Sequence, residues 1–229
     1  MKIKFLKDER GLLVGDYLVI ADLHLGYKKN LENKGYVIPN QRSEFIKRIK
    51  KLKTKTGAKK LIILGDIKHN IPYASKNERY EIPKFFRELS KLFEKIIVIK
   101  GNHDGKIEPM IHEENIEVKD EFIFNDVLFI HGHKYPSNDA MKSKIIVMAH
   151  THPTFKLKES AGIVHNYPCW IIGRIIKSKL KRYKDIKCEK VIIMPAFNKL
   201  LYGYNKIVGP LAKAIKKEEV LLLDFTKVV

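Results

Sequence analysis

Five times along this chain a run of four apolar residues ends at a polar cluster. Tyr17-Leu18-Val19-Ile20 leads to Asp22-Leu23-His24, and Leu61-Ile62-Ile63-Leu64 to Gly65-Asp66. Ile96-Ile97-Val98-Ile99 leads to Gly101-Asn102-His103-Asp104, Val127-Leu128-Phe129-Ile130 to His131-Gly132-His133, and Ile145-Ile146-Val147-Met148 to His150-Thr151-His152. Short unbroken apolar runs bounded by turn residues read as strands buried on both faces. Between the first three runs the period changes. Phe45, Ile46, Ile49 and Leu52 recur at helical spacing and predict a helix from Gln41 to Leu52. Phe85, Phe86, Leu89, Leu92 and Phe93 predict a second, with Pro83 at its first position and its end at Glu94. Residues 1–20 read as two strands around the turn Asp8-Glu9-Arg10-Gly11, and Gly26 to Asn30 as a loop. Strand, helix, strand, helix, strand is the order of a parallel sheet covered by helices, an α/β arrangement. Beyond His152, residues 155–159, 167–176, 191–194 and 220–225 predict a second, more antiparallel sheet packed on the first.

At 229 residues the chain fits a single domain spanning 1–229. The core motifs occupy 17–153, and the second sheet with a basic segment occupies 154–229. No apolar run approaches the roughly 20 residues that cross a bilayer, so no membrane role is expected. Met1-Lys2-Ile3-Lys4-Phe5 lacks the apolar stretch of a secretory signal. The two cysteines, Cys169 and Cys188, form no CxxC pair and suggest no disulfide framework, which makes the cytoplasm the expected location. Charge changes the picture more. Lys and Arg total 45 against 26 Asp and Glu, a net +19, which favours a polyanionic partner, nucleic acid first. A composition set by habitat is the competing explanation. Seven of the basic residues crowd between Lys177 and Lys190.

Taken singly, a histidine after a strand or an Asp after Gly is an ordinary turn or cap residue. Taken jointly, five strand ends carry Asp, Asn and His to the end where α/β sheets form their binding crevice. Clustering those polar groups without a cation costs a few kcal/mol each. In order and spacing, Asp22-x-His24, Gly65-Asp66, Gly101-Asn102-His103-Asp104, His131 and His150-x-His152 resemble the motifs of the calcineurin-like metallophosphoesterases. Within that superfamily the chain looks most like small archaeal phosphoesterases related to SbcD-type nucleases, and like bacterial ligase-associated phosphoesterases. The cues are Gly65-Asp66-x-Lys68-His69, His131-Gly132-His133 and Pro195-Ala196-Phe197.

The resemblance implies a four-layer αββα sandwich, with two mixed sheets flanked by helices and a two-metal site at the carboxyl ends of the strands. It implies that Asp22, His24 and His152 hold one ion, that Asn102, His131 and His150 hold the other, and that Asp66 bridges them. Imidazole, carboxylate and amide donors suit Mn, Fe or Zn better than Mg or Ca, and two divalent ions are expected, Mn first with Fe, Zn or Ni as alternatives. The implied reaction is phosphodiester hydrolysis by a metal-activated hydroxide. His103 is expected to protonate the leaving group, with Asp104 orienting its imidazole, and His69 and His133 to contact substrate. His112 and His165 are expected to be ordinary. Trp170, Tyr167, Tyr202 and Tyr204 fit either base stacking or core packing.

The substrate follows less directly. The charge favours nucleic acid, DNA or RNA, bound through phosphates. No zinc finger or helix-turn-helix is recognisable, and little chain remains after residue 153 for a capping domain. A small-molecule or cyclic-nucleotide phosphodiesterase and a phosphomonoesterase are the enzymatic alternatives. Asn70 stands after His69, where the family's phosphatases place a basic residue. A nucleic-acid-binding protein with a non-catalytic metal centre is the alternative of another class. The resemblance allows a homodimer, though no strip of sequence marks an interface.

Overall fold

A computed structural model describes residues 2–228. Strands β1 (Ile3–Phe5), β2 (Leu12–Val14), β3 (Tyr17–Ala21), β4 (Lys60–Leu64), β5 (Lys95–Ile99) and β6 (Ile116–Lys119) form one sheet in that order. Its first two pairings are antiparallel and the remaining three parallel. The second sheet contains β7 (Glu121–Phe124), β8 (Val127–Ile130), β9 (Ile145–Met148), β10 (Thr154–Lys158), β11 (Val164–Ile175) and β12 (Lys190–Ile193). Its order is β10-β11-β12-β9-β8-β7, and β13 (Ile215–Leu222) pairs with β11. The protein is therefore α/β, with two mixed sheets and flanking helices, as expected.

The sheets stack face to face, which explains the unbroken apolar runs. Along β4, Ile62 and Leu64 point into the core between the sheets, beside Phe129, Val147 and Trp170. Leu61 and Ile63 point the other way, against helices α2 (Gln41–Thr56) and α3 (Lys76–Ser90). With side chains alternating across a strand, burial on both faces leaves no polar position. α2 offers Phe45, Ile46, Ile49 and Leu52 to this layer, and α3 offers Ile82, Phe85, Phe86 and Leu89. Over the second sheet the outer layer is thinner. Short 3₁₀ helices at Ala140–Lys142, Lys177–Lys179 and Ala212–Ala214, with the loops between them, supply Met141, Leu180, Tyr183 and Leu211 in place of α-helices.

Several boundaries depart from the sequence pattern. α3 starts at Lys76, not Pro83, because Ser75 and Glu78 form a capping box, each side chain bonding the other's backbone N–H. Pro83 lies inside the helix, and Leu92 and Phe93 fall beyond its end. Residues 2–21 hold three strands where two were expected, since Gly15 at φ 59° makes a two-residue turn that pairs Val14 with Tyr17. The 26–30 stretch enters a one-and-a-half-turn helix, α1 (Tyr27–Glu32). The five motif strands do not share one sheet, because β8 and β9 belong to the second. Cys169 and Cys188 are buried free thiols, each pushed up to about 12 by burial. Among the described residues no helix is long and apolar enough to cross a membrane.

Candidate metal centre

β3, β4, β5, β8 and β9 all end at the same edge of the sandwich, three from one sheet and two from the other. The chain must leave each strand sharply to hold its polar residues at that edge. Asp22, His24, Asp66, His150 and His152 adopt φ of 53°, 44°, 49°, 67° and 45°, the left-handed region that side chains disfavour. Such strain costs on the order of 1–3 kcal/mol per residue and persists only where surrounding structure enforces it. Two glycines make the crowding feasible. A Cβ on Gly65 would lie 2.5 Å from His131 Nδ1 and 2.7 Å from the Gly101 nitrogen, and one on Gly101 would collide with Asp66.

The side chains converge in two sets that share Asp66. Ligand atoms of Asp22, His24, Asp66 and His152 lie within 4.8 Å of one another, as do those of Asp66, His131 and His150. Asp66 Oδ2 is 3.3 Å from His24 Nε2 and 3.4 Å from His131 Nε2. Asp22 Oδ1 is 3.4 Å from His152 Nε2. Asn102 Oδ1 is 3.2 Å from His131 Nε2, at the solvent side of the second set. His131 Nδ1 donates to the Leu64 carbonyl at 2.9 Å, which fixes the tautomer and leaves Nε2 facing Asp66.

Both oxygens of Asp22, Nε2 of His24 and Nε2 of His152 are buried without a hydrogen-bond partner. Buried polar atoms are normally paired, so four orphaned donor atoms facing one space fit a cation. The electrostatics agree. Burial opposes charge on Asp66, yet His131 and His24 hold its carboxyl well below the usual range. Burial likewise opposes charge on His131, and Asp66 with Asp22 still raises it to about 9. His150 is pushed down to about 4 by burial and by His131. The donor set fits divalent metal, with two acids, four imidazoles and an amide oxygen, and no thiolate.

His103 stands over the shared carboxylate. Its backbone N–H donates to Asp66 Oδ1 at 3.0 Å, and its Nε2 lies 4.0 Å from Asp66 Oδ2. Its Nδ1 donates to the His69 carbonyl at 2.5 Å. Asp104 does not orient this imidazole. Its buried carboxylate accepts the backbone N–H groups of Ile67 at 2.8 Å, Lys68 at 3.2 Å and Gly101 at 2.9 Å. It ties the Asp66 turn to the Asn102 turn and touches no reacting position. Burial and the neighbouring Asp66 charge push it up to about 6, against the Gly101 and Lys68 N–H groups and the His131 charge.

His69 lies beside the first set, its Nδ1 3.3 Å from His24 Nδ1 and its ring stacked on His103 at 5.7 Å. Asn30 Nδ2 is 2.8 Å from His69 Nε2. Burial pushes His69 down to about 4. His133 lies 5.3 Å from the His131 ring, on the other flank, and burial also lowers it to about 4. His165 pairs with Glu159 at 2.8 Å on the β10–β11 hairpin.

Residues beyond the motifs complete the support. Buried Glu78 accepts the N–H groups of His69 at 2.7 Å and Asn70 at 2.9 Å, while it caps α3. Fully buried Lys68 donates to the Asn70 and Pro72 carbonyls. Asn198 Nδ2 donates to the Leu23 carbonyl at 2.8 Å, between Asp22 and His24. Arg10 and Arg48 hold the carbonyls of Ala196, Phe197 and Asn198. The Ser-x-x-Glu spacing of the capping box was the readable signal for Glu78, and nothing local marks Asn198.

Two stacked mixed sheets with an Asp-His-Asn cluster at their shared edge define a metal-dependent hydrolase. The calcineurin-like phosphoesterase family model matches residues 16–187, well over half of the chain. The protein belongs to that family. The phosphodiesterase YfcE of Escherichia coli K12 is 29% identical over 111 residues, which are 46% of this chain and 60% of YfcE. The match thus spans less than two thirds of that relative's length. The crystal structure of the Pseudomonas putida nuclease MPE superposes with a TM-score of 0.59 at 20% identity, over 95% of this chain and 89% of that one. That likeness concerns the fold.

Proposed function

We propose that the protein is a two-metal phosphodiesterase acting on nucleic acid. The observation that carries this reading is the position of Asp66 Oδ2, between an imidazole of each donor set. Asp22, His24 and His152 would hold one ion, Asn102, His131 and His150 the other, and Asp66 both, with Mn the expected metal and Fe, Zn or Ni the alternatives. The mix of imidazole, carboxylate and amide donors fits any of these better than Mg or Ca. When bound, two such ions polarise a phosphoryl oxygen and lower the pKa of a coordinated water to about 7. The protein's residues provide the rest. Leu64 and His69 fix the tautomers of His131 and His103 through their carbonyls. With its Nδ1–H held by the His69 carbonyl, His103 would carry a second proton on Nε2, as the imidazolium, toward the leaving oxygen, against a burial that lowers its pKa. His69 supports His24 and His103 through its ring contacts, and His133 flanks the second set.

A phosphodiester of nucleic acid is the substrate that the net charge of +19 favours. The similar proteins, a phosphodiesterase and a nuclease, point the same way. The test uses metal-stripped protein reloaded with Mn²⁺, offered end-labelled single- and double-stranded DNA, a chromogenic diester and its monoester. Cleavage of DNA and diester that requires Mn²⁺ is the expected result. Turnover of the monoester alone would make the protein a phosphatase. Diester turnover with intact DNA would make it a small-molecule phosphodiesterase, and would leave the charge to habitat.

A further inference from the structure

A groove of about 660 Å³ opens beside His152, within the range typical of ligand sites. Its walls come from α1, the segment after it, the start of β10 and the loop at 199–203. Tyr27, Tyr36 and Tyr202 line it together with Lys34, Lys156 and Lys199. No acidic residue lines it, and none of the three lysines forms an ion pair among the described residues. Tyr36 is 60% exposed and Tyr202 81% exposed, so their rings face water rather than core. Tyr27 joins the groove to the metal centre, its ring 5.0 Å from that of His69. Burial raises the Tyr27 phenol above its usual range, and the Tyr202 phenol adds to the rise.

The basic segment 177–190 does not supply this surface. Arg174 pairs with Lys190, and Lys190 with Ile145, so the segment leaves and rejoins the sheet at the end opposite the metal centre. Arg182, stacked over Tyr135 at 4.1 Å, and Tyr183, whose hydroxyl donates to the Pro136 carbonyl at 2.8 Å, reach the loop that follows His133.

The geometry points to a binding track for unpaired nucleic acid along the Tyr27–Tyr36–Tyr202 groove, leading a single strand to the metal centre. The assignment rests on the nucleic-acid reading above and adds the strand form and the residues that take it. Exposed rings offer stacking faces to any unpaired base, while lysines without acidic partners are free to meet phosphates. Bases within a duplex are stacked on one another and cannot use such rings.

Fluorescence anisotropy of the metal-loaded protein with labelled, phosphorothioate-linked oligothymidylate, and with the same strand in a duplex, tests this. The single strand should bind more tightly, by tenfold or more. Tyr36→Ala and Tyr202→Ala should each weaken it by about 5- to 150-fold, the usual effect of losing one stacked base. Lys34→Gln with Lys199→Gln should flatten the salt dependence by about 0.7 in log–log slope per lost contact. Tyr80→Ala, on the exposed face of α3, should change nothing. Equal affinity for duplex and single strand, or unchanged binding in both tyrosine variants, would overturn the track. Failure of the two readings is separable. A strand held through these tyrosines but never cut with Mn²⁺ would defeat the nuclease and keep the track. DNA cut at full rate by the tyrosine variants would do the reverse.

Discussion

Leu64 and Asp66 stand two residues apart at the end of one strand, in surroundings of different kinds. Leu64 lies in the core between the sheets with Ile62, Ile99, Phe129 and Val147, in regular backbone. Asp66 sits at φ 49° beyond a glycine that admits no Cβ, among imidazoles and a second carboxylate. A similar contrast separates Ile20, buried under the helices, from Asp22, and Met148, buried on the outer face of the second sheet, from His150. The interior gains stability from apolar area removed from water, at roughly 25 cal/mol per Å². The edge holds strained backbone and orphaned polar atoms, which the interior must stabilise. Function here occupies the part of the fold least favourable to folding, and the interior and the edge should respond oppositely to mutation.

The largest expected effect lies at the edge. Asp66→Asn removes a charge shared by both donor sets. It should lower metal affinity beyond the 10- to 100-fold typical of supporting partners and abolish turnover, while the folded state survives. Metal analysis after gel filtration, with thermal unfolding of the same sample, checks both halves. A variant that retains both metals would remove Asp66 from the bridge.

His103→Gln sharpens the same point. Turnover should fall about 10²- to 10⁴-fold with metal content unchanged. If the metals leave with the imidazole, His103 is a ligand and not a proton donor.

Ile97→Ala tests the interior. It opens a cavity between the sheets and should cost about 2–5 kcal/mol in denaturant unfolding. The fraction that remains folded should still bind metal at full stoichiometry. Loss of metal without loss of stability would break the division between interior and edge.

The smallest effect belongs to Glu78, buried yet connected to the edge through His69. Burial opposes its charge, but the N–H groups of Asn70, Ser75 and His69 outweigh burial and hold it below its usual 4.5. A depressed carboxyl contributes stability above its unfolded pKa and loses it as pH falls. Glu78→Gln should therefore cost about 1–3 kcal/mol near neutrality. That difference should shrink as pH falls below 4.5 toward the depressed folded value, read as converging melting temperatures. A difference independent of pH would show that the charge contributes nothing.

The sequence determined the five strand ends, because a strand buried on both faces must be apolar throughout and its polar residues can stand only where it stops. It determined α2 from Gln41 as well, through the spacing of Phe45, Ile49 and Leu52, although the helix runs on to Thr56. It did not determine where α3 begins: Pro83 has no N–H to bond the Arg79 carbonyl and is disfavoured in a helix interior, yet the helix starts at the Ser75–Glu78 cap and runs through it. Nor did it divide the five strands between two sheets, because each pairing joins segments whose sequences are equally apolar. Asp104 follows His103 in the chain yet turns to the backbone of Ile67, Lys68 and Gly101. Asn198 supports Asp22 and His24 from 175 residues away along the chain from Leu23. Local pattern records which residues are apolar and where the chain turns. Which groups then meet depends on contacts between distant segments, and those exist only once both sheets have closed over their shared core.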